Sequence, residues 1–145
     1  MKRMWTLAAL AVAFAGGFGV REFLPLEPVV QAQQAGRFYE LRTFTANEGK
    51  LEALHDRFRQ HTMKLWAKHG MTNVAYFKVL DNPAASNQIV FLLSYPSRDA
   101  QKASWAGFGQ DAEWKKVVAE TEANGRLIMK GETIALEPTD YSPLK

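Results

Sequence analysis

The chain has 145 residues, of which 47% are hydrophobic and 12% aromatic, enough for one domain with a real core. It contains no cysteine, which excludes disulfides, a thiolate nucleophile and Cys-ligated metal or iron–sulfur sites. The formal net charge is only +3, and after residue 33 no run of Lys and Arg is longer than the pair Lys115–Lys116. No nucleic-acid partner is therefore predicted.

Residues 1–32 have the layout of an export signal. Lys2 and Arg3 precede the uncharged apolar run 4–20, which is shorter than the ~20 residues of a comfortable membrane-spanning helix. Val30 and Ala32 suit the −3 and −1 positions of a signal-peptidase site, so we predict cleavage after Ala32 and a periplasmic domain. The charged, Pro-containing spacer that follows the run leaves an alternative open. In that case the segment is an uncleaved anchor that holds the domain at the inner membrane, facing outward.

A strand followed by a long helix opens the folded part. Residues 37–46 alternate in the manner of a strand, with Phe38, Glu40, Arg42 and Phe44 on one face. We expect Asn47 to cap the following helix and Gly70 to end it, a length of about twenty residues.

The long helix is amphipathic. At 100° per residue one arc holds the apolar residues and all three histidines of the chain, namely Leu51, Leu54, His55, Phe58, His61, Thr62, Leu65, Trp66 and His69. Charged residues, Arg57 among them, fill the other side. The helix is therefore predicted to lay its histidine-bearing face on a sheet.

The remaining segments complete a two-layer plan. Ser97 is predicted to cap a helix carrying Trp105 and Phe108, "GFGQD" interrupts it, and Asp111 caps a second stretch that runs to Thr121. Further strands are predicted at 71–80, at 87–95 after the turn "DNPAAS", and at 126–136.

This order, β-α-β-β-α-β, predicts the α+β class, as a ferredoxin-like four-stranded antiparallel sheet with helices on one face only. If Phe38 and Phe44 lie on the other face, that face needs a cover, and a second copy of the same sheet supplies one. A homodimer is therefore expected.

At this point the residues resemble a known family. "YELRTFTANEGKLEAL", "NQIVFLLSYPSRDAQKASWAGFGQDAEWKKV" and "LEPTDYSPL" are similar to the NIPSNAP domain, with the likeness covering 36–144. The resemblance implies a dimeric α/β-barrel in which two sheets pack face to face. In related families small ligands lie between sheet and helices. NIPSNAP domains have no agreed catalytic residues to carry over, and the role of animal mitochondrial members in protein interaction and organelle quality control does not suit an exported chain.

The histidines do not predict a metal or haem site. Their spacings are six and eight, whereas zinc on a helix favours ligands at i and i+4, and no haem motif is present. No cofactor is predicted. A histidine lining a pocket can orient or deprotonate a substrate, and an arginine can bind an anion, although both also serve as structural residues. The candidate pocket residues are His55, His61, His69, Arg42, Tyr76, Trp66 and Trp105.

Two functions from different classes follow. The sequence favours an exported non-catalytic module, a dimeric barrel that binds a small molecule or a protein partner, because no metal spacing, nucleophile triad or phosphate-binding loop is present. The alternative is a small cofactor-free oxygenase- or isomerase-type enzyme. It would use a pocket histidine as base and Arg42 or Tyr76 to hold the substrate.

Overall fold

A computed structural model describes residues 37–144, so the predicted signal or anchor at 1–32 lies outside the described residues. The strands are β1 (Phe38–Ala46), β2 (Thr72–Lys78), β3 (Gln88–Tyr95) and β4 (Ile128–Leu136). The helices are α1 (Leu51–Arg57), α2 (Met63–Lys68), α3 (Arg98–Gln110) and α4 (Ala112–Thr121), with a π-helical segment, Phe58–Thr62, between α1 and α2 and a short 3₁₀ turn at Pro83–Ala85. In the described part of the chain no helix is long and apolar enough to cross a membrane.

The four strands form one antiparallel sheet in the order β2-β3-β1-β4. The predicted ferredoxin-like α+β fold is confirmed. β1 lies at the centre, where Arg42 pairs in register with Phe91 of β3 and Thr133 of β4. A register shift in β2 between Asn73 and Ala75 adjusts its pairing with β3.

The helices cover the face of β1 that carries Phe38, Glu40, Arg42 and Phe44. The ring of Phe44 lies edge-on to Phe91, 5.0 Å between centroids, and 6.2 Å from Phe58. Of the two faces that the sequence left open for Phe38 and Phe44, the structure therefore gives the helix-covered one and excludes the other. Two-residue periodicity shows which side chains share a face, but the packing partners decide which face is covered.

Aromatic rings dominate the core beneath α1 and α2. Trp66, Phe91 and Leu54 are almost completely buried, and Phe58 contacts Trp66 and Phe91 edge-on at 5.3 and 5.4 Å between centroids. Such edge-to-face contacts add to the free energy gained by burying the rings. The predicted apolar arc of the helix is the face that packs on the sheet.

α1, the π-helical segment and α2 follow one another without a break, and we call them together the helical rod. The helical rod departs from the prediction at its start and along one side. It begins at Leu51 after a turn in which Gly49 has a φ of +67°, and the Asn47 amide donates to the Arg126 carbonyl instead of capping the helix. Arg57, placed by periodicity on the polar side, is 3% exposed because the end of α4 packs there. Glu122, the residue that follows α4, lies 2.8 Å from Arg57 Nη1. Gly70, at φ +80°, ends the rod as predicted.

The second helical region is broken at one residue only. The Ser97 hydroxyl accepts from the Ala100 N–H at 3.1 Å, which confirms the predicted cap. α3 then continues through the stretch expected to interrupt it and ends at Asp111, whose carboxylate accepts from the N–H groups of Glu113 and Trp114 at the start of α4. Gly107 lets α3 pack closely on His69, because a Cβ at this position would lie only 3.1 Å from His69 Nδ1.

The other face of the sheet has no helix in the described part of the chain. Its centre is Leu41, which pairs with Leu92 on one side and Ile134 on the other. Ile134 and Phe77 on this face are 56% and 52% exposed. We call this surface the open face, and its apolar and aromatic members are Tyr39, Leu41, Phe77, Val90, Leu92, Ile134 and Leu136.

Candidate ligand-binding sites

Glu40 is a buried carboxylate, 3% exposed, on the helix-covered side of β1. Its Oε2 accepts from the Tyr95 hydroxyl at 2.7 Å and from Trp105 Nε1 at 2.9 Å, and its Oε1 accepts from Gln101 Nε2 at 2.8 Å. Burial, together with this hydrogen bond, raises the pKa of the Tyr95 hydroxyl well above its usual range, so it remains a donor. Three neutral donors therefore solvate the charge of Glu40.

Arg42 lies beside Glu40 on the same face. Its Nε is 3.6 Å from Glu40 Oε2, and its guanidinium carbon is 3.9 Å from the centre of the Trp105 ring. Burial lowers the pKa of the guanidinium from its ordinary value, although the negative charge of Glu40 partly compensates. The structure thus brings together two of the candidate pocket residues, Arg42 and Trp105.

A separate cleft of about 260 Å³ lies between the helical rod and the edge strand β2. Two more candidates, His55 and Tyr76, line it. Its walls also include two basic side chains and several apolar ones. The full lining is His55, Phe58, Arg59, Met63, Tyr76, Phe77, Lys78 and Ile89. We call this the β2 cleft.

The β2 cleft combines a neutral imidazole with two cations. Burial lowers the pKa of His55, and the positive charges of Arg59 and Lys78 act in the same direction against the opposing effect of Glu52. The buried Nε2 of His55 has no hydrogen-bond partner within the described residues. Burial also raises the pKa of the Tyr76 hydroxyl, which donates to Asn73 Oδ1. The β2 cleft therefore combines apolar walls with the positive charges of Arg59 and Lys78.

The remaining candidates lie elsewhere. Trp66 is 2% exposed and packs between Phe58, Phe91 and Trp105, so it belongs to the core. His69 Nε2 lies 2.7 Å from Asp111 Oδ2, a contact that joins the end of α2 to the start of α4. His61 lies in the π-helical segment and lines neither the β2 cleft nor the Arg42 site. The three histidines are therefore not in one site.

Within residues 37–144 no group of three histidine or acidic side chains is placed to hold a metal ion. A larger groove of about 400 Å³ at the start of α3 is lined by Arg37 and Arg98 among others. Both arginines are already engaged, since Arg37 Nη2 donates to the hydroxyls of Thr72 and Ser94 at 3.2 Å and the Arg98 guanidinium lies over the Phe38 ring. The β2 cleft and the Arg42 site are the better candidates.

Sequence reasoning did not find Lys78, Arg59 or Met63 of the β2 cleft, nor the donors Tyr95 and Gln101 around Glu40. Lys78 and Arg59 looked like ordinary surface charges, and only the packing of the rod against β2 brings them together. A glutamate on the core-facing side of a strand requires several donors, but only the packing of the helices shows that this side of β1 faces the core.

The fold and these sites define a ferredoxin-like α+β domain with helices on one side of its sheet. The NIPSNAP family model matches residues 39–143, and the chain belongs to the NIPSNAP family. A search of curated proteins finds no match to this chain.

Solved structures share the fold. A NIPSNAP family protein with unknown function from Agrobacterium tumefaciens is 23% identical, covering 78% of this chain and 96% of that one with a TM-score of 0.66. A NIPSNAP-like domain protein from Burkholderia xenovorans is 18% identical, covering 74% and 90% with a TM-score of 0.64. SnoaB, a cofactor-independent oxygenase from Streptomyces nogalater, is 16% identical, covering 75% and 99% with a TM-score of 0.52.

Proposed function

We propose that this NIPSNAP domain is a non-catalytic binding module that takes a small amphipathic anion in the β2 cleft. The observation that carries the proposal is the pairing of an apolar wall, formed by Phe58, Met63 and Ile89, with the cations Arg59 and Lys78. Ligand sites are typically concave and largely apolar, with a few polar groups that fix orientation. An acidic head group would lie near the cations and an aliphatic or aromatic body against the wall.

The module is proposed to act outside the cytoplasm as a homodimer. Lys2, Arg3 and the apolar run 4–20 support export, with an outward-facing membrane anchor as the alternative. The exposed apolar side chains of the open face support a second copy of the sheet as its cover.

A cofactor-free oxygenase- or isomerase-type enzyme is the second candidate. It is favoured by one observation, the lowered pKa of His55, which keeps the imidazole unprotonated and able to accept a proton from a substrate near neutral pH. SnoaB shows that this fold class includes a cofactor-independent oxygenase. Against the candidate, no carboxylate within the described residues orients the His55 ring through a hydrogen bond.

Calorimetric titration with decanoate and with decanol tests the proposal. Decanoate is expected to bind at one site per protomer, and decanol about tenfold or more weakly because it lacks the charge that Arg59 and Lys78 attract. Lys78→Gln should weaken decanoate binding while leaving decanol unchanged. Lys64→Gln, an exposed lysine on the rod outside the cleft, is the matched control.

Equal affinity for decanoate and decanol, or an unchanged affinity in Lys78→Gln, would contradict the anion site. The enzyme alternative is separated by native mass spectrometry of the purified protein and by oxygen uptake with any molecule that co-purifies. Consumption of oxygen that His55→Gln abolishes would replace the binding module with the enzyme.

A further inference from the structure

We propose that Arg42 and Trp105 form a second site, for the carboxylate of a small organic anion, on the helix-covered side of the sheet where β1 meets β4. This site is distinct from the β2 cleft. Arg42 pairs in register with Phe91 of β3, and Phe91 stacks on Tyr76 of the cleft at 5.8 Å between ring centroids, so a core residue lies between the two sites. The inference does not depend on the function proposed for the cleft.

The Arg42 side chain has more hydrogen-bond donors than acceptors around it. A guanidinium has five N–H donors, yet the Arg42 side chain makes no hydrogen bond to the part of the chain that the structure describes. Its Nε is buried without an acceptor, and the 3.6 Å separation from Glu40 is an ion pair without hydrogen-bond geometry. A carboxylate that binds the partly exposed part of the guanidinium would supply acceptors that the described residues do not.

Glu40 does not accept hydrogen bonds from the guanidinium of Arg42. Its two oxygens already accept three hydrogen bonds from Tyr95, Gln101 and Trp105. Glu40 therefore balances the charge of Arg42 at a distance while leaving the donors of the guanidinium available. An anion that approaches the outer edge of the guanidinium meets the positive group before the more distant, enclosed carboxylate.

The guanidinium of Arg42 is preorganised by the Trp105 ring. Trp105 Nε1 donates to Glu40, and the indole contacts Trp66 and Phe108 at 5.7 and 5.8 Å between ring centroids, so the ring is held from three sides. The guanidinium lies over this fixed ring at 3.9 Å. A planar fork held in this way loses little conformational entropy when it binds a carboxylate with two parallel hydrogen bonds.

The Arg42 side chain is partly accessible to solvent from the β4 side. The Arg42 side chain is 18% exposed, and its register partner on β4 is the exposed Thr133. Gly131 and Ala135 lie on the same face of β4, two residues to either side, and are also exposed. The Phe44 ring fills the space above Gly131, where a Cβ would lie 3.2 Å from it, so the body of a ligand would lie on the Ala135 side of the guanidinium. The hydroxyl of Thr133 adds a polar group.

NMR titration of the ¹⁵N-labelled protein with sodium benzoate tests this site. We expect saturable shifts of the Arg42 Nε–H and Trp105 Nε1–H resonances, and none with benzyl alcohol, which has the same ring without the charge. Arg42→Lys, which keeps the charge but not the fork, should weaken benzoate binding about tenfold. Arg126→Lys, an exposed arginine elsewhere, should bind as the wild type does.

Several results would overturn the proposal. They are the absence of benzoate-induced shifts at Arg42 and Trp105, equal shifts with benzyl alcohol, and undiminished affinity in a folded Arg42→Lys. Tighter binding of inorganic phosphate than of benzoate would show that the ligand class is wrong. The wild-type titration decides the question by itself if Arg42→Lys does not fold, and decanoate binding in the β2 cleft is scored separately on Lys78→Gln.

Discussion

Glu40 illustrates, at the scale of single residues, how a charge survives inside a small core. The carboxylate lies among aromatic rings, where an unsolvated charge would be prohibitive, but hydrogen bonds from Tyr95, Gln101 and Trp105 replace the water it loses. These donors come from β3 and α3, so the same carboxylate ties the helix to the central strand. Its role in stability is therefore inseparable from its role in holding Trp105 beneath Arg42.

Replacing this carboxylate should cost stability. Glu40→Gln is expected to lower the free energy of unfolding by about 1.5–3 kcal/mol, because hydrogen bonds to a charged acceptor are lost and the amide brings its own donor group into the cluster. Urea denaturation at neutral pH measures the change. Glu132→Gln, on an exposed residue paired with Lys130, should change it by less than about 0.5 kcal/mol. Equal effects for the two variants would contradict this account.

The histidines are expected to be structural or ligand-contacting residues without a metal. Replacing His55, His61 or His69 by Gln should change stability within the ordinary range of about 0.5–3 kcal/mol, most at His69 because its contact with Asp111 is lost. Metal analysis of the untagged protein is the complementary measurement. Near-stoichiometric zinc or iron that any one substitution abolishes would show that the prediction is wrong.

At the scale of elements, Asp111 links three helices. It ends α3, caps α4 through its Oδ1, and contacts Lys68 and His69 at the end of α2 through its Oδ2. The hydrogen bonds from Lys68 and His69 lower the pKa of the Asp111 carboxyl far below its usual range. A lowered pKa in the folded state means that the stability due to the charge is fully present above the unfolded value of about 4. It is lost as the pH falls towards the folded value.

Asp111→Asn isolates this charge, because asparagine is an equally good helix cap. The variant should be less stable than the wild type at pH 7, and the difference should shrink at pH 3, where the Asp111 carboxyl of the unfolded chain takes up a proton while that of the folded protein keeps its charge. Urea denaturation at the two pH values measures both differences. Glu113→Gln, which alters a more exposed partner of Lys68, is the control. A difference that is the same at pH 7 and pH 3 would rule out the electrostatic origin.

At the scale of the whole molecule, the open face determines the proposed assembly. Leu41 lies at its centre between Leu92 and Ile134, so Leu41→Glu should convert a dimer into a folded monomer. A sheet-on-sheet interface of ~1,600 Å² would gain tens of kcal/mol of gross hydrophobic free energy before the costs of association. Analytical ultracentrifugation at micromolar concentration, with circular dichroism to check folding, is the measurement.

Two other variants make this test specific. Phe44→Glu would place a charge between Phe58 and Phe91, so it should unfold the protein rather than dissociate it. Lys64→Glu, on the exposed side of the rod, should leave the dimer intact. A well-folded wild-type monomer at these concentrations would reject the dimeric barrel.

Export concerns the complete chain. Cell fractionation should find the domain beyond the inner membrane, and N-terminal sequencing of the mature protein should begin at Gln33. A full-length product at the membrane would favour the anchor. A full-length soluble product in the cytoplasm would show that residues 1–32 are not an export signal.

The sequence by itself determined the element order, the turn "DNPAAS" between β2 and β3, the caps at Ser97 and Asp111, and the stop at Gly70. These features depend on local chemistry, namely side-chain periodicity, capping oxygens and a positive φ, which a short window contains. The same information predicted the fold class and, by resemblance, the family.

Only the tertiary structure decided which face of β1 is covered, that Arg57 is buried, and that the seven candidate residues do not share one pocket. Two-residue alternation is symmetric between the faces of a strand, so Phe44 could be assigned only when Phe58 and Phe91 were seen against it. Arg57 is buried by Glu122 and Trp114, which are more than fifty residues away in the chain. Contacts at such separations depend on how whole elements pack, which no local pattern encodes.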